Sequence, residues 1–247
     1  MMWRVVQSEW MKMRKSSIWF PVVLTPLLAI AIGFMAASHG PLLHRMNANP
    51  WNSYYFIVVA AYSLLMLPLL TGVLCSLMCR FEHLSGGWKQ ILSFPIPRST
   101  IYIVKFFYVL VFVALAQVLM MFGVVATGVS VLHISTAAPW SMLFRSILGG
   151  WLACIPLIAL QLWVSTWWKS FGAPFAVNVI LTIPAVAVAH SSRFGPVYPW
   201  AQPMLAMMPS GHHFLYVTTK TASTIIISGM VLVAVGWTHF SRRDITS

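Results

Sequence analysis

Acidic side chains are almost missing from this sequence. Its 247 residues include three Asp or Glu, and only 7% of all residues are charged, while 60% are hydrophobic. The mean hydropathy is +0.84. A water-soluble domain with so few charged groups could not cover its apolar core, so the composition excludes that class. The sequence predicts an integral membrane protein.

The motifs of several enzyme classes are missing as well. No GxxxxGK[ST] string is present, so we do not expect the chain to bind and hydrolyse ATP by itself. No HExxH, CxxC or GxSxG motif indicates a protease or another hydrolase. The three cysteines all fall within apolar runs, and their odd number argues against a disulfide framework. We therefore predict a protein that is not an enzyme and holds no metal or cofactor.

Six apolar runs are each long enough to cross a bilayer, which requires about 20 helical residues. They cover residues 17–37, 54–79, 103–131, 146–168, 173–190 and 221–240. None shows the alternation of a transmembrane β-strand, and helices satisfy all backbone hydrogen bonds within lipid. The sequence thus predicts an all-α protein with six transmembrane helices, in one domain covering residues 1–247.

The basic residues predict the orientation of these helices. With a cytoplasmic N-terminus, eleven of the fifteen Lys and Arg fall on the inner side, and only Arg45, Arg145, Arg193 and Lys220 fall outside. This bias predicts that both termini are cytoplasmic. It also explains the net charge of +12 without nucleic-acid binding.

Residues 1–16 have an amphipathic pattern. At 100° per residue, one face of a helix collects Trp3, Val6, Trp10 and Met13. The opposite face collects Arg4, Ser8, Lys12 and Lys15. We expect an elbow helix lying in the inner headgroup layer. The alternative is a simple basic flank of the first span.

A second amphipathic stretch lies in the inner loop 80–99. An apolar face is formed there by Leu84, Trp88, Ile91 and Leu92. Pro95 and Pro97 would end this helix, and Arg98 and Lys105 would anchor the next span. The pattern is typical of a docking surface, although a solvated connector between two spans is the alternative.

Three segments of the chain resemble one family of transporters. They are Glu82 with Gly86-Gly87-Trp88-Lys89 and Leu92-Ser93-Phe94-Pro95, then Glu9-Trp10 with Lys12 and Arg14, and finally the ending Phe240 to Ile245. Their order and character are similar to those of bacterial type-2 ABC-transporter permeases. Within that family the chain is most similar to the small permeases of lantibiotic-immunity and bacitracin-type peptide exporters.

The resemblance implies a division of labour between chains. Two ATPase subunits would bind ATP and Mg, and two permease chains, identical or homologous, would form the path through the plasma membrane. Contact with the ATPase would be made by a coupling helix containing Glu82, His83, Trp88, Lys89, Ile91 and Leu92. The elbow helix would contain Trp3, Glu9, Trp10, Lys12 and Arg14. Gly87 stands where the family pattern has Thr, which affects the register of the coupling helix.

The resemblance also implies short outer helices, here in residues 191–220, which would cap the exit of the path. The cargo would be an amphipathic peptide antibiotic or a similar lipid-seeking compound. On this hypothesis, Glu82→Ala and Trp88→Ala disturb coupling to the ATPase, and Glu9→Ala is a comparison variant with a smaller effect.

Three amides within the predicted spans, Gln117, Gln161 and Asn178, are candidates for the substrate path. A polar group in lipid requires a partner, which is either cargo or a neighbouring helix. No ionisable residue lies clearly at mid-membrane, which argues against a proton- or sodium-driven carrier.

A second class of function is also compatible with the sequence. The chain could be a permease-like subunit for lipid-linked or copper-maturation cargo, or a membrane assembly factor that transports nothing. Six of the eight histidines fall on the predicted outer side, but their spacing matches no defined metal site.

Overall fold

The computed structural model describes residues 2–39, 50–84, 97–168, 170–208 and 218–242. These residues form ten α-helices and two short turns of other helix types, and no strand is present among them. In chain order they are α1 (Met2–Arg14), α2 (Trp19–His39), α3 (Pro50–Ala61), a π-helical turn (Tyr62–Met66), α4 (Leu67–Leu84), α5 (Arg98–Ser130), α6 (Trp140–Ser165), α7 (Gly172–Thr182), α8 (Ala185–Ala189), a 3₁₀ turn (Gly195–Val197), α9 (Gln202–Met207) and α10 (Thr219–Arg242).

Five helical stretches among the described residues are long and apolar enough to cross a membrane. They are Trp19–Ser38, Pro50–Glu82, Arg98–Ser130, Trp140–Ser165 and Thr219–Ser241. Each overlaps a predicted span, which confirms an all-helical membrane protein. The third and fourth of these helical stretches begin at Arg98 and Trp140, earlier than the predicted starts at residues 103 and 146.

The predicted fifth span, residues 173–190, is not one continuous α-helix. It consists of α7 and α8, with a turn at Ile183 and Pro184 between them. Proline has no N–H to donate to the carbonyl four residues earlier, and its ring crowds that carbonyl. Pro184 therefore interrupts the helix, and α7 alone is too short to cross a bilayer.

Helix α6 lies at the centre of the packing. It contacts α4, α5, α7, α9 and α10. Helix α2 packs on α3 and α5. Some of the largest fully buried side chains come from α3, the π-helical turn and α5, namely Tyr54, Tyr55, Tyr62, Tyr102 and Phe112. Most of α10 remains exposed in the isolated chain, as expected for a helix that faces lipid or another chain.

Pro68 determines the local shape of the second span. It cannot continue the helical ladder, and the turn directly before it is widened to a π-helix, in which Leu67 N–H bonds to the Tyr62 carbonyl. The Pro68 carbonyl accepts a hydrogen bond of 2.9 Å from Asn178 Nδ2. Trp200 Nε1 donates to Asn178 Oδ1 at 2.8 Å. One buried amide thus links α4, α7 and the segment that leads into α9.

Gly72 gives Asn178 the space to make these contacts. A Cβ atom at position 72 would overlap the Asn178 side chain, which is held at both its nitrogen and its oxygen. We expect Gly72→Ala to lower the free energy of unfolding by about 1–3 kcal/mol, as for other overpacked sites. This loss is measured by thermal unfolding of the purified protein, with size-exclusion chromatography to detect the folded fraction.

Gly172→Ala is the matched control, because nothing lies within 4 Å of a Cβ atom at that position. It should leave the midpoint of unfolding unchanged or raise it slightly, since Ala favours the helix more than Gly. Equal midpoints for the two variants would show that Asn178 moves aside without cost.

Candidate functional site: a buried ion cluster

Lys105 lies at the centre of a buried cluster of charges. Its ammonium group donates to Glu9 Oε2 at 2.8 Å, to Glu82 Oε1 at 3.0 Å and to the Met78 carbonyl at 3.2 Å. A lysine ammonium has three N–H groups, so every donor of Lys105 has a partner. The side chain joins α5 to α1 through Glu9 and to the end of α4 through Glu82.

Lys12 closes the cluster from the surface. Its Nζ lies 2.8 Å from Glu9 Oε1 and 2.6 Å from Glu82 Oε1. Each glutamate is therefore bridged by both lysines, and the four charges sum to zero. We call these four residues, Glu9, Lys12, Glu82 and Lys105, the ion cluster. Two of the three acidic residues of the chain belong to it.

The ion cluster is shielded from solvent except at Lys12. The exposed fraction of the side chain is 3% for Glu9, 1% for Glu82 and 2% for Lys105, but 31% for Lys12. Burial acts to raise the pKa of Glu9, but the charges of Lys105 and Lys12 outweigh it and hold that pKa below its ordinary value. Glu9 is therefore a carboxylate at neutral pH.

Aromatic contacts hold α1 against α5 beside the ion cluster. Tyr108 donates its hydroxyl to the Val6 carbonyl at 2.8 Å, and the Trp10 ring stacks on Tyr108 with centroids 6.4 Å apart. Trp19, at the start of α2, meets Phe112 edge to face at 5.4 Å. These contacts fix the position of α1, so that Glu9 and Lys12 face the cluster.

The face that α1 turns towards the rest of the chain is not the apolar face of its helical wheel. The buried residues are Val5, Glu9 and Met13, whereas Trp3 is 70% exposed. At 3.6 residues per turn, the observed face is rotated by roughly 80° from the apolar face of the helical wheel. The reason is the ion cluster: the lysines draw Glu9 inward, and the tryptophans are left at the side of the helix. Arg14, at the end of α1, is exposed.

Glu82 lies two residues before the end of α4, where the predicted coupling loop begins. The structure places its carboxylate inside the chain, so in this conformation it does not face a surface that an ATPase could touch. His83 follows in the last turn of α4, and its side chain is not among those described. Four predicted coupling residues lie outside the described residues, namely Trp88, Lys89, Ile91 and Leu92. Their contact with an ATPase stays a prediction.

Two residues of the ion cluster have a different position from the one expected. Glu9 was chosen as a mild comparison for Glu82, but it is equally buried and shares the same two lysines. Lys105 was expected to anchor its span at the membrane surface, and it is instead fully buried. A signal was available: a charged residue seven positions into a long apolar helix requires a partner of opposite charge, and the chain offers few.

The three candidate amides of the substrate path are all fully buried, but they are not equivalent. Asn178 is bonded at both ends within the chain, as described above. Gln161 Nε2 donates to the Pro174 carbonyl at 2.8 Å, while its oxygen accepts no hydrogen bond from the described residues. Neither polar atom of the Gln117 side chain has a hydrogen-bond partner in the described part of the protein. The structure does not bring the three together around one space.

The described residues contain no group of three or more His, Cys, Asp or Glu side chains arranged to hold a metal ion. The cysteines Cys75, Cys79 and Cys154 are buried and free. The ion cluster is suited to a mechanical role, because its opposite charges hold three helices in one register around a buried lysine.

The family model of the ABC-2 family transporter proteins matches residues 5–185, which include α1 from Val5 onward, α2 to α7 and the whole ion cluster. The chain belongs to this family. It is thus a membrane permease subunit of an ABC transporter, a multi-pass protein of the plasma membrane, and subunits of this kind generally work with separate ATPase subunits. No curated protein matches the chain.

Proposed function

We propose that this permease belongs to an ATP-driven exporter that removes amphipathic peptide antibiotics from the membrane. The cargo is taken from the resemblance of the sequence to peptide-exporter permeases, and the observation that supports coupling to an ATPase is the position of the ion cluster. It joins α1, the end of α4 and the start of α5 on both sides of the segment predicted to dock on the ATPase. Movement of that segment would pull on Glu82 first.

Glu82 would act through the ion cluster and not by touching the ATPase. When ATP brings the ATPase subunits together, the docked loop moves with them. Through Lys105 and Lys12 the displacement reaches α5 and α1, since a pair of buried opposite charges resists separation. The predicted loop residues, above all Trp88 and Lys89, would make the outer contact.

The proposed assembly contains two permease chains and two ATPase subunits, with ATP and Mg bound by the ATPase. Each permease would cross the membrane six times, with α7 and α8 together as the fifth crossing and both termini in the cytoplasm. From Gly172 to Ala189 a helix would rise roughly 27 Å, close to the thickness of the hydrocarbon core. The short helices after α8 would then lie towards the outside.

Purification from native membranes tests this proposal. We expect native mass measurement to show two permease and two ATPase chains. The complex, reconstituted in vesicles, should then remove a fluorescent amphipathic peptide antibiotic from the bilayer only when ATP is present. A catalytically inactive ATPase in the same complex is the control.

Other cargo would give a different result. Transport of a lipid-linked compound or delivery of copper, with no movement of peptide, would replace the proposed cargo but keep an ABC permease. A stable complex without any ATPase would favour a membrane assembly factor and contradict the proposal.

A further inference from the structure

Gln117 lies near the middle of α5 and is the least satisfied polar side chain of the described core. It is fully buried, and neither its Nε2 nor its Oε1 has a hydrogen-bond partner there. An amide buried without hydrogen bonds costs several kcal/mol in an apolar medium. A side chain of this kind is expected where a partner arrives in another conformation or with a ligand.

The end of α9 lies next to Gln117. On α6, Gly150 brings the backbone close, and a Cβ atom there would come within 3.2 Å of Gln117 Nε2. The same atom would overlap the side chain of Met207, so Met207 covers this position. Met207 ends α9, a six-residue helix, and its carbonyl accepts a hydrogen bond of 2.6 Å from Ser146 Oγ on α6.

A second polar group belongs to an element that packs on α9. The Tyr62 hydroxyl is buried and has no hydrogen-bond partner among the described residues. Tyr62 belongs to the π-helical turn, which contacts α9, the helix that ends at Met207. Such turns are frequent at functional sites. Gln117 and Tyr62 are both neutral groups that can donate and accept hydrogen bonds.

We infer that Gln117 binds the backbone of the cargo at mid-membrane, and that Met207 closes this site in the present conformation. A Gln side chain has an acceptor and a donor on the same edge, so it can pair through two hydrogen bonds with the N–H and C=O of one residue in an extended peptide. Withdrawal of α9 would uncover the amide, and an unbranched methionine side chain can move aside at little cost. The inference rests on the proposed function, since it assumes a peptide cargo.

The test uses the assembled permease and ATPase complex in nanodiscs of neutral phospholipid. The probe is a fluorescent amphipathic peptide of Leu and Lys, compared with the same peptide N-methylated on its backbone, which lacks N–H donors. We expect Gln117→Leu to weaken binding of the first peptide about tenfold, as expected for two neutral hydrogen bonds. The N-methylated peptide should bind the parent more weakly than the first peptide does, because it can accept a hydrogen bond from Gln117 Nε2 but cannot donate one to Oε1.

Gln161→Leu is the matched control, because the same substitution there removes a hydrogen bond to Pro174 within the chain. It should lower the midpoint of thermal unfolding and leave peptide affinity unchanged, whereas Gln117→Leu should not lower the midpoint. Met207→Ala keeps the amide and removes its cover, so we expect faster peptide association. Should Gln117→Leu fail to fold, Met207→Ala still tests the site.

Equal peptide affinity in the parent and Gln117→Leu would overturn this inference, as would tight binding of the N-methylated peptide or an unchanged association rate in Met207→Ala. These results are separate from the test of export. Peptide transport at the parent rate by Gln117→Leu would reject the site and leave the exporter. Binding that depends on Gln117, without transport, would reject export and leave the site.

Discussion

Replacing Lys105 with methionine is expected to lower the free energy of unfolding by about 3–5 kcal/mol, which is the usual effect of removing one partner from a buried ion pair. The variant would leave Glu9 and Glu82 almost fully buried with Lys12 as their only cation. Methionine fills a similar volume, so the loss would come from unpaired charge and not from a cavity. We expect much less of this variant to be recovered as folded protein from membranes.

Lys12→Met is the control for this result. It removes the same charge from the same two glutamates, but Lys12 is 31% exposed and Lys105 remains in place. Partly exposed ion pairs contribute far less to stability than buried ones, so the loss should be about 1 kcal/mol. Thermal unfolding in one detergent would rank the variants. Equal losses for both would contradict the central role of Lys105.

The positions of the membrane helices could largely be predicted from the sequence, because the length and hydropathy of a span are local properties. The interruption at Pro184 could also be predicted, since a proline inside an apolar run weakens the helix. The apolar composition of residues 173–190 nevertheless predicts one continuous span, because the N–H that Pro184 lacks does not change the hydropathy of the run. The hydrogen bond from Asn178 to the Pro68 carbonyl joins residues 110 positions apart, so no local pattern reveals it.

The ion cluster could be predicted only in part. The rarity of acidic residues predicts a role for Glu82. It applies equally to Glu9, but it does not show that Glu9 pairs with Lys105. These two lie 96 positions apart in the chain, and only the packing of α1 against α5 brings them together. The helical wheel of residues 1–16 predicts a helix in the headgroup layer, but it does not reveal the pairing of Glu9 with a distant lysine, because it weighs hydrophobicity alone. The predicted docking residues of the loop are not tested by the described structure.

The largest functional effect is expected when the whole buried part of the ion cluster is replaced at once, by Glu9→Leu, Glu82→Leu and Lys105→Met. No charge is then stranded except Lys12, which can turn to solvent. Well-packed apolar residues often replace buried ion pairs with no loss of stability, so the triple variant should recover most of the loss in Lys105→Met. It should bind the ATPase, and the resulting complex should hydrolyse ATP but export little or no peptide.

The reason for the lost export is the difference between ionic and apolar contacts. Apolar side chains can slide past one another with small changes in energy, whereas the four charges hold α1, α4 and α5 in one register. Export per ATP hydrolysed, measured in reconstituted vesicles, separates this effect from stability, which thermal unfolding follows in the same preparations. A triple variant that is folded and exports peptide at the parent ratio would show that the ion cluster only stabilises the fold. A stable variant whose complex with the ATPase hydrolyses ATP without exporting peptide would establish the ion cluster as the link between the docking loop and the membrane helices.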